Sequence, residues 1–128
     1  MNNLIIDAAA DDIFLTLINN KNIYTCSHEN SKSNFERLVI LINEFLKKNE
    51  ILIGEINNIY VNKGPGSFAG IRNSISIVKG LFITKKIDYY CYSFLEFKQA
   101  NAIKYEDVPN LCNKFKIEKN LINSIYSG

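Results

Sequence analysis

The chain has 128 residues, a formal net charge of +2 and 47% hydrophobic residues, which predict one globular domain with a substantial core. Its basic residues are scattered, whereas nucleic-acid-binding proteins gather them on one face, so we predict no direct nucleic-acid binding. The N-terminus lacks a basic segment followed by a long apolar run, and no apolar run nears the about 20 residues of a membrane span. We therefore expect a cytoplasmic protein that does not bind membranes.

The cysteines and the histidine do not form a metal-binding pattern. Cys26, Cys91 and Cys112 are odd in number, widely spaced and without a C-x-x-C pair, which is typical of reduced packing residues in the cytoplasm. His28 is the only histidine, and no cysteine or carboxylate cluster surrounds it at ligand spacing. The sequence predicts neither a metal nor a cofactor.

The first third of the chain predicts a meander and a helix. Three apolar strands with short connections favour antiparallel pairing, over Leu4–Ile6, Ile13–Ile18 and Ile23–Cys26. A helix over residues 34–47 follows, with Ser33 and Glu36 as its capping box. Its core stripe at i, i+3, i+4 and i+7 comprises Phe35, Leu38, Val39, Ile42, Phe45 and Leu46. Ile40 projects from the polar side and is a candidate contact.

The middle of the chain predicts a strand, a glycine turn and a helix. Ile56–Val61 is the strand, and residues 67–84 form the helix, with Ser67 as its N-cap. Gly64 and Gly66 allow the positive φ that a tight turn requires. The free N–H groups of the helix start make Gly64, Gly66 and Ser67 a candidate anion-binding turn. A P-loop and a Rossmann fingerprint both fail, because each needs a glycine where Ala69 stands, so a purely structural turn is the alternative.

The helix over residues 67–84 has two unlike faces. At about 100° per residue, one apolar stripe should face a sheet: Phe68, Ile71, Ile75, Val78 and Phe82. The other side carries small residues instead of the usual Lys and Glu: Ala69, Gly70, Asn73, Ser76 and Gly80. Small residues let a second helix approach closely, so we expect another structure to cover this side.

The last part of the chain predicts a fifth strand over Ile87–Tyr92, then a short helix over Phe94–Ala100 capped by Ser93 and Glu96. The order β-β-β-α-β-α-β-α, with a mixed five-stranded sheet, is that of the ribonuclease-H-like unit found in the actin-like ATPase superfamily. We predict that residues 1–100 form this α/β subdomain and that residues 101–128 form a helical tail. The apolar stripes of the tail are Val108, Leu111, Cys112 and Phe115, and then Leu121, Ile122 and Ile125.

The segment GPGSFAGIRNSISIVKGL, residues 64–81, resembles the GPGSFTG-[LIV]-R…KGL signature of the TsaB (YeaZ) family of bacterial tRNA threonylcarbamoyladenosine synthesis. The resemblance runs from about Leu4 to about Ala100. Asp7 matches the aspartate of the family's opening "IDT" strand, but Ala8 stands where threonine is usual. Asn34 replaces the histidine of the first family helix, and Ala69 replaces the signature threonine. The chain stops before the second, duplicated subdomain of full-length members could form.

The resemblance implies a non-catalytic scaffold that pairs with the TsaD paralogue, with the TsaE-like ATPase completing the set. Family members pair through the helices matching 34–47 and 67–84. The implied interface residues are Ile40, Ala69, Asn73, Ile77 and Gly80. Actin-like ATPases bind nucleotide in a cleft between two subdomains, which makes Asp7 the retained candidate for a vestigial nucleotide or metal position.

Two alternatives to this scaffold remain. One is a nucleotide- or phosphate-binding module, or an ATPase, that uses the GPGS turn and Asp7. Against it stand two failed motifs, a lone carboxylate and no nucleophile–base pair. The other is a degenerate homodimer that pairs the same helices with a second copy and has no role in tRNA modification.

Overall fold

A computed structural model describes residues 1–98 and 102–122 of the chain. Its centre is a five-stranded sheet in the order β3-β2-β1-β4-β5. The first three strands are an antiparallel meander, and β4 and β5 join β1 in parallel. The strands are β1 Asn2–Asp7, β2 Asp12–Asn19, β3 Asn22–Glu29, β4 Asn58–Asn62 and β5 Asp88–Tyr92. The predicted mixed sheet and the order of its strands are confirmed.

The described helices are α1 Lys32–Glu36, α2 Leu38–Lys48, α3 Phe68–Lys85 and α4 Val108–Lys114. Three 3-10 turns, at Ile53–Glu55, Phe94–Glu96 and Tyr105–Asp107, connect them to the strands and to one another. The Ser93–Glu96 capping box is confirmed, although its turn is shorter than the predicted helix. Ala100 and Ile125 lie outside the described residues.

The prediction of one continuous helix over residues 34–47 was wrong. The helix breaks at Arg37, where φ is −103° and ψ is 12°. The predicted capping box was also wrong, because the chain enters α1 two residues earlier and Ser31 is its N-cap, accepting from the Asn34 N–H at 3.2 Å. With the break, Val39 lies outside the core stripe and is 52% exposed.

Both faces of the sheet are covered. On one face, α2 and α3 pack side by side over strand residues such as Leu4, Ile6 and Val61. On the other, α4 and the residues around it pack over Ile5 and over the aromatic rings of β4 and β5. Beyond α4, residues 115–122 contain no helix, and Lys119 instead forms a bridge with Tyr90 of β5. The described part of the tail therefore packs on this face of the sheet and contributes to the hydrophobic core.

The apolar stripe of α3 is buried only in its middle. Ile71, Ile75 and Val78 are buried, as predicted, but Phe68 is 45% and Phe82 38% exposed. An 18-residue helix is about 27 Å long, whereas the five-residue strands β4 and β5 span about 17 Å. The helix is therefore longer than the two strands that it connects, although Phe82 still contacts the Tyr89 ring of β5, with centroids 5.9 Å apart. No helix of the described residues is long and apolar enough to cross a bilayer.

Two glycines of α3 have opposite surroundings. A Cβ at Gly70 would overlap the carbonyl oxygen of Ala8 and approach the Phe35 ring at 3.1 Å. Gly70 was predicted on the small-residue side of the helix, which another structure was expected to cover, and at Gly70 the cover comes from the turn after β1 and from the Phe35 ring. A Cβ at Gly80 would meet nothing within 4 Å.

We predict that Gly70→Ala and Gly80→Ala change the free energy of unfolding in opposite directions. Gly70→Ala should destabilise the fold by about 1–3 kcal/mol through overpacking. Gly80→Ala should stabilise it by about 0.5–1 kcal/mol, because alanine favours a helix interior. Urea denaturation of both variants checks this. Equal shifts of the two midpoints would contradict the close approach at Gly70.

Candidate functional site

An apolar groove runs between α2 and α3 on the surface of the molecule. It has a volume of about 340 Å³. Most of the residues that line it are apolar or small, and charged residues are absent from its lining: Val39, Ile42, Asn43, Ile53, Ser76, Ile77, Gly80, Leu81 and Thr84. Such a groove suits the apolar edge of a partner helix.

The structure brings together only part of the predicted interface. Ile77 and Gly80 line the groove. Ile40 is 49% exposed and Ala69 is exposed, but neither lines it, and Asn73 is half-buried outside it. Val39 was predicted in the core stripe instead, because α1 and α2 were expected to form one helix. Ile53 was not predicted in the groove, because a 3-10 turn of three residues shows no helical periodicity.

The glycine turn between β4 and α3 is held by the protein's own acceptors. Gly64 has a φ of 111°, as predicted, and its N–H donates to Asn62 Oδ1 at 2.9 Å. At Gly66 the constraint is steric, since a Cβ there would overlap the carbonyl oxygen of Ala9. The Ser67 N–H donates to that same oxygen at 3.0 Å. Ser67 is the predicted N-cap, and its hydroxyl accepts from the Gly70 N–H at 3.2 Å.

The surroundings of this turn do not favour an anion. The N–H groups of Gly64 and Ser67 already donate inside the protein. An open hollow of about 540 Å³ lies beside the turn, and its lining includes the Asp11 carboxylate and neither lysine nor arginine. A negative ligand would meet a like charge there.

Asp7 is buried at the end of β1 and is engaged by two donors. Its side chain is 1% exposed. Oδ1 accepts from the Ala9 N–H at 3.0 Å, and Oδ2 accepts from the Tyr105 hydroxyl at 2.6 Å. Burial raises the pKa of Tyr105, and the hydrogen bond to Asp7 raises it further, so the phenol stays protonated and donates. No sequence pattern pointed to Tyr105, whose partner lies 98 residues away.

Two further charged side chains near this end of the sheet, Lys63 and Glu96, are also paired within the protein. Lys63 is buried and its Nζ lies 3.1 Å from Glu96 Oε1, which also accepts from the Ser93 N–H at 2.9 Å. Over residues 1–98 and 102–122, no three His, Cys, Asp or Glu side chains gather as metal ligands would. The chemistry of this end of the sheet is therefore that of a packed, hydrogen-bonded junction.

The family model described as "TsaD: tRNA N6-adenosine threonylcarbamoyltransferase" matches residues 28–113. Two relatives are tRNA threonylcarbamoyladenosine biosynthesis proteins TsaB from Buchnera aphidicola. The one from the Schizaphis graminum subspecies is 32% identical over 99 residues, 77% of this chain and 47% of the relative. The one from the Acyrthosiphon pisum subspecies is 30% identical over 113 residues, 84% of this chain and 51% of the relative.

The chain belongs to the family of this TsaD model, and within it to the TsaB (YeaZ) proteins. It spans about half the length of the two TsaB relatives.

The structural neighbours show the fold of this TsaB-family chain. YeaZ from Pseudomonas aeruginosa matches with a TM-score of 0.66 at 20% identity, over 72% of this chain and 43% of that one. RuvC of T. thermophilus, in complex with a Holliday junction substrate, matches with a TM-score of 0.53 at 14% identity, over 97% of this chain and 85% of that one. The predicted ribonuclease-H-like fold is thus confirmed. The extent of the second match includes the tail, in agreement with its packing on the sheet.

We predict that Tyr105→Phe lowers the free energy of unfolding by about 1–3 kcal/mol, because a buried carboxylate loses one of its two donors. Tyr24→Phe is the control, since Tyr24 is 37% exposed and its hydroxyl bonds no described residue. Its effect should stay within about 0.5 kcal/mol. Chemical denaturation at neutral pH measures both.

The same contact predicts a pH dependence. The pKa of Tyr105 is raised in the folded protein, so its stabilisation is complete below the ordinary tyrosine pKa of about 10 and declines as the pH rises further. Tyr105→Phe should remove this part of the alkaline loss of stability. An unchanged alkaline profile would show that Tyr105 does not hold Asp7 in solution.

Proposed function

We propose that the chain is a non-catalytic scaffold that binds a TsaD-like partner and acts in the threonylcarbamoyladenosine modification of tRNA. One observation carries the proposal: an apolar groove lies open between the two helices that carry the family resemblance. The proposed role in tRNA modification is taken from the names of the TsaB relatives. The family resemblance supplies the class of partner.

The groove has the properties of a helix-docking site. Val39 lines the groove and is 52% exposed, so it forgoes roughly half of the about 1.5–3 kcal/mol that full burial of such a side chain contributes. A partner would recover part of this free energy. Gly80 leaves open space where another residue would place a side chain, so a partner backbone can approach α3 closely. Ser76 and Thr84 keep the lining small without introducing charge.

The ATPase alternative has less support. Asp7 would have to give up the Tyr105 hydroxyl to hold a metal ion, and the GPGS turn would have to release two internal hydrogen bonds to hold a phosphate. Each exchange costs hydrogen bonds that the fold already has. The homodimer alternative uses the same groove, and the binding experiment below distinguishes it.

We predict that the purified chain, given ATP and Mg²⁺, hydrolyses no more ATP than a preparation of the Asp7→Asn variant. Release of inorganic phosphate over several hours, with the variant prepared in parallel, measures this. Turnover that Asp7→Asn abolishes would overturn the scaffold in favour of the enzyme.

We predict that Gly80→Leu weakens binding to a TsaD-like protein at least about tenfold, because the added side chain fills the space that a partner helix needs. The control Lys79→Leu should bind like wild type, because it adds an equal apolar side chain to an exposed position of α3 outside the groove lining. Gly80→Ala should weaken binding less than Gly80→Leu, because a methyl group fills only part of the space. Isothermal titration calorimetry gives the affinities.

Mass measurement by light scattering, on the chain alone and on the mixture, separates the two kinds of partner. Pairing with the TsaD-like protein supports the scaffold. Self-association that Gly80→Leu disrupts, without any pairing in the mixture, supports the homodimer. If Gly80→Leu stays folded and binds as well as wild type, the groove is not the interface.

A further inference from the structure

A second cavity lies on the tail side of the sheet, on the face opposite the groove. Its volume is about 520 Å³. Residues from the start of β1, from the middle of β4 and β5, from α4 and from the segment after α4 line it: Met1, Asn3, Tyr60, Tyr90, Pro109, Asn110, Cys112, Asn113, Lys116, Ile117 and Lys119. Neither Asp7 nor any residue of the α2–α3 groove lines this cavity, so it is separate from both features described above.

The cavity collects hydrogen-bonding groups that the described residues do not pair. Tyr60 is 7% exposed, yet its hydroxyl makes no hydrogen bond to a described residue. The hydroxyl is also not among the fully buried unpaired atoms, so it opens into the cavity. Burial, with Tyr90 as the next cause, raises the pKa of Tyr60, so this hydroxyl is a donor at neutral pH. The hydroxyl is therefore available to donate to a ligand in the cavity.

Tyr90 extends this wall of the cavity. Its ring stacks on that of Tyr60, with centroids 4.9 Å apart and planes at 12°. The side-chain amides of Asn110 and Asn113 stand on the α4 side, and neither is bonded to a described residue. Phenol hydroxyls and exposed side-chain amides thus line the cavity on two sides, and each can donate to an oxygen-rich ligand.

The charge of the cavity is positive. Lys116 and Lys119 are its ionised side chains, and no carboxylate lines it. Lys119 forms an ion pair with Asp88, in which Nζ lies 3.6 Å from Oδ2. The Asp88 carboxylate also accepts a hydrogen bond from the Asn120 side-chain amide at 2.9 Å. Lys116 has no ion pair within the described chain. The positive charge therefore favours the binding of a dianion and disfavours that of a cation.

We propose that this cavity binds a small phosphate ester. A phosphate group offers several acceptor oxygens and up to two negative charges, which match the tyrosine and asparagine donors and the unpaired Lys116. The volume lies within the range of about 300–1,000 Å³ that is usual for small-molecule sites and exceeds what a lone phosphate ion needs. The stacked tyrosine pair supplies an apolar wall for the rest of the ligand.

Isothermal titration calorimetry on the full chain tests this with four probes: AMP, ribose 5-phosphate, inorganic phosphate and adenosine. We expect at least one ester to bind with a Kd of about 1 mM or lower, and inorganic phosphate and adenosine to bind at least about tenfold more weakly. Tighter binding of AMP than of ribose 5-phosphate would show that the aromatic wall also holds the base.

Two variants locate the site. Lys116→Asn removes the charge and should weaken ester binding about tenfold, because a charge-assisted bond is lost. Lys86→Asn is its matched control, since both lysines have a φ of 55° and asparagine tolerates that conformation. Tyr60→Phe keeps the ring and its stacking and removes only the hydroxyl, and it too should weaken binding severalfold.

Four results would overturn the proposal. The first is that neither ester binds at millimolar concentration. The second is that inorganic phosphate or adenosine binds as tightly as the esters. The third is that Lys116→Asn and Tyr60→Phe both bind as wild type does. The fourth is that Lys86→Asn weakens binding as much as Lys116→Asn does, which would indicate unspecific attraction to a basic protein. Thermal melts of each variant confirm that it is folded.

Discussion

The arrangement of this molecule depends on the close approach of two backbone turns. The turn after β4 lies against the turn after β1, where Gly66 and Gly70 leave no room for a Cβ beside the carbonyl oxygens of Ala9 and Ala8. The Ser67 N–H closes the contact by donating to the Ala9 oxygen at 3.0 Å. This approach fixes where α3 starts and hence how it lies beside α2. The groove between those helices is thus a consequence of two glycines that do not themselves line it.

Hydrophobic periodicity and turn residues predicted most of the architecture, because strands and helix caps depend mainly on residues close in sequence. The five strands, the Ser67 cap and the buried middle of α3 are local in this sense. The break at Arg37 was not foretold, since the apolar period continues through it. The cover of Gly70 by the turn after β1 was also not predicted, because that turn lies some 60 residues earlier in the chain.

The two faces of the sheet differ in chemistry as well as in cover. The α2–α3 face is aliphatic, whereas the tail face carries stacked and edge-on aromatic rings, among them Tyr92 on Phe97 at 5.8 Å and Phe97 on Phe115 at 5.9 Å. The aliphatic face is the one that bears the groove. On the aromatic face, the Tyr105 hydroxyl donates to Asp7. The hydroxyls of Tyr60 and of the fully buried Tyr92 make no hydrogen bond to a described residue. Such groups could not be found from sequence, because pairing depends on distances across the sheet.

The hydrogen bond between Asp7 and Tyr105 has a consequence for biosynthesis. It joins residues 98 positions apart, and β1 must also wait for β4 before it has a neighbour on its second side. A nascent chain that has released only the meander therefore exposes one edge of β1 and a carboxylate with a single donor. Contacts of such long sequence separation form late, since the intervening loop must first be closed at an entropic cost. The native state of this domain is consequently reached only after nearly all of the described chain has left the ribosome.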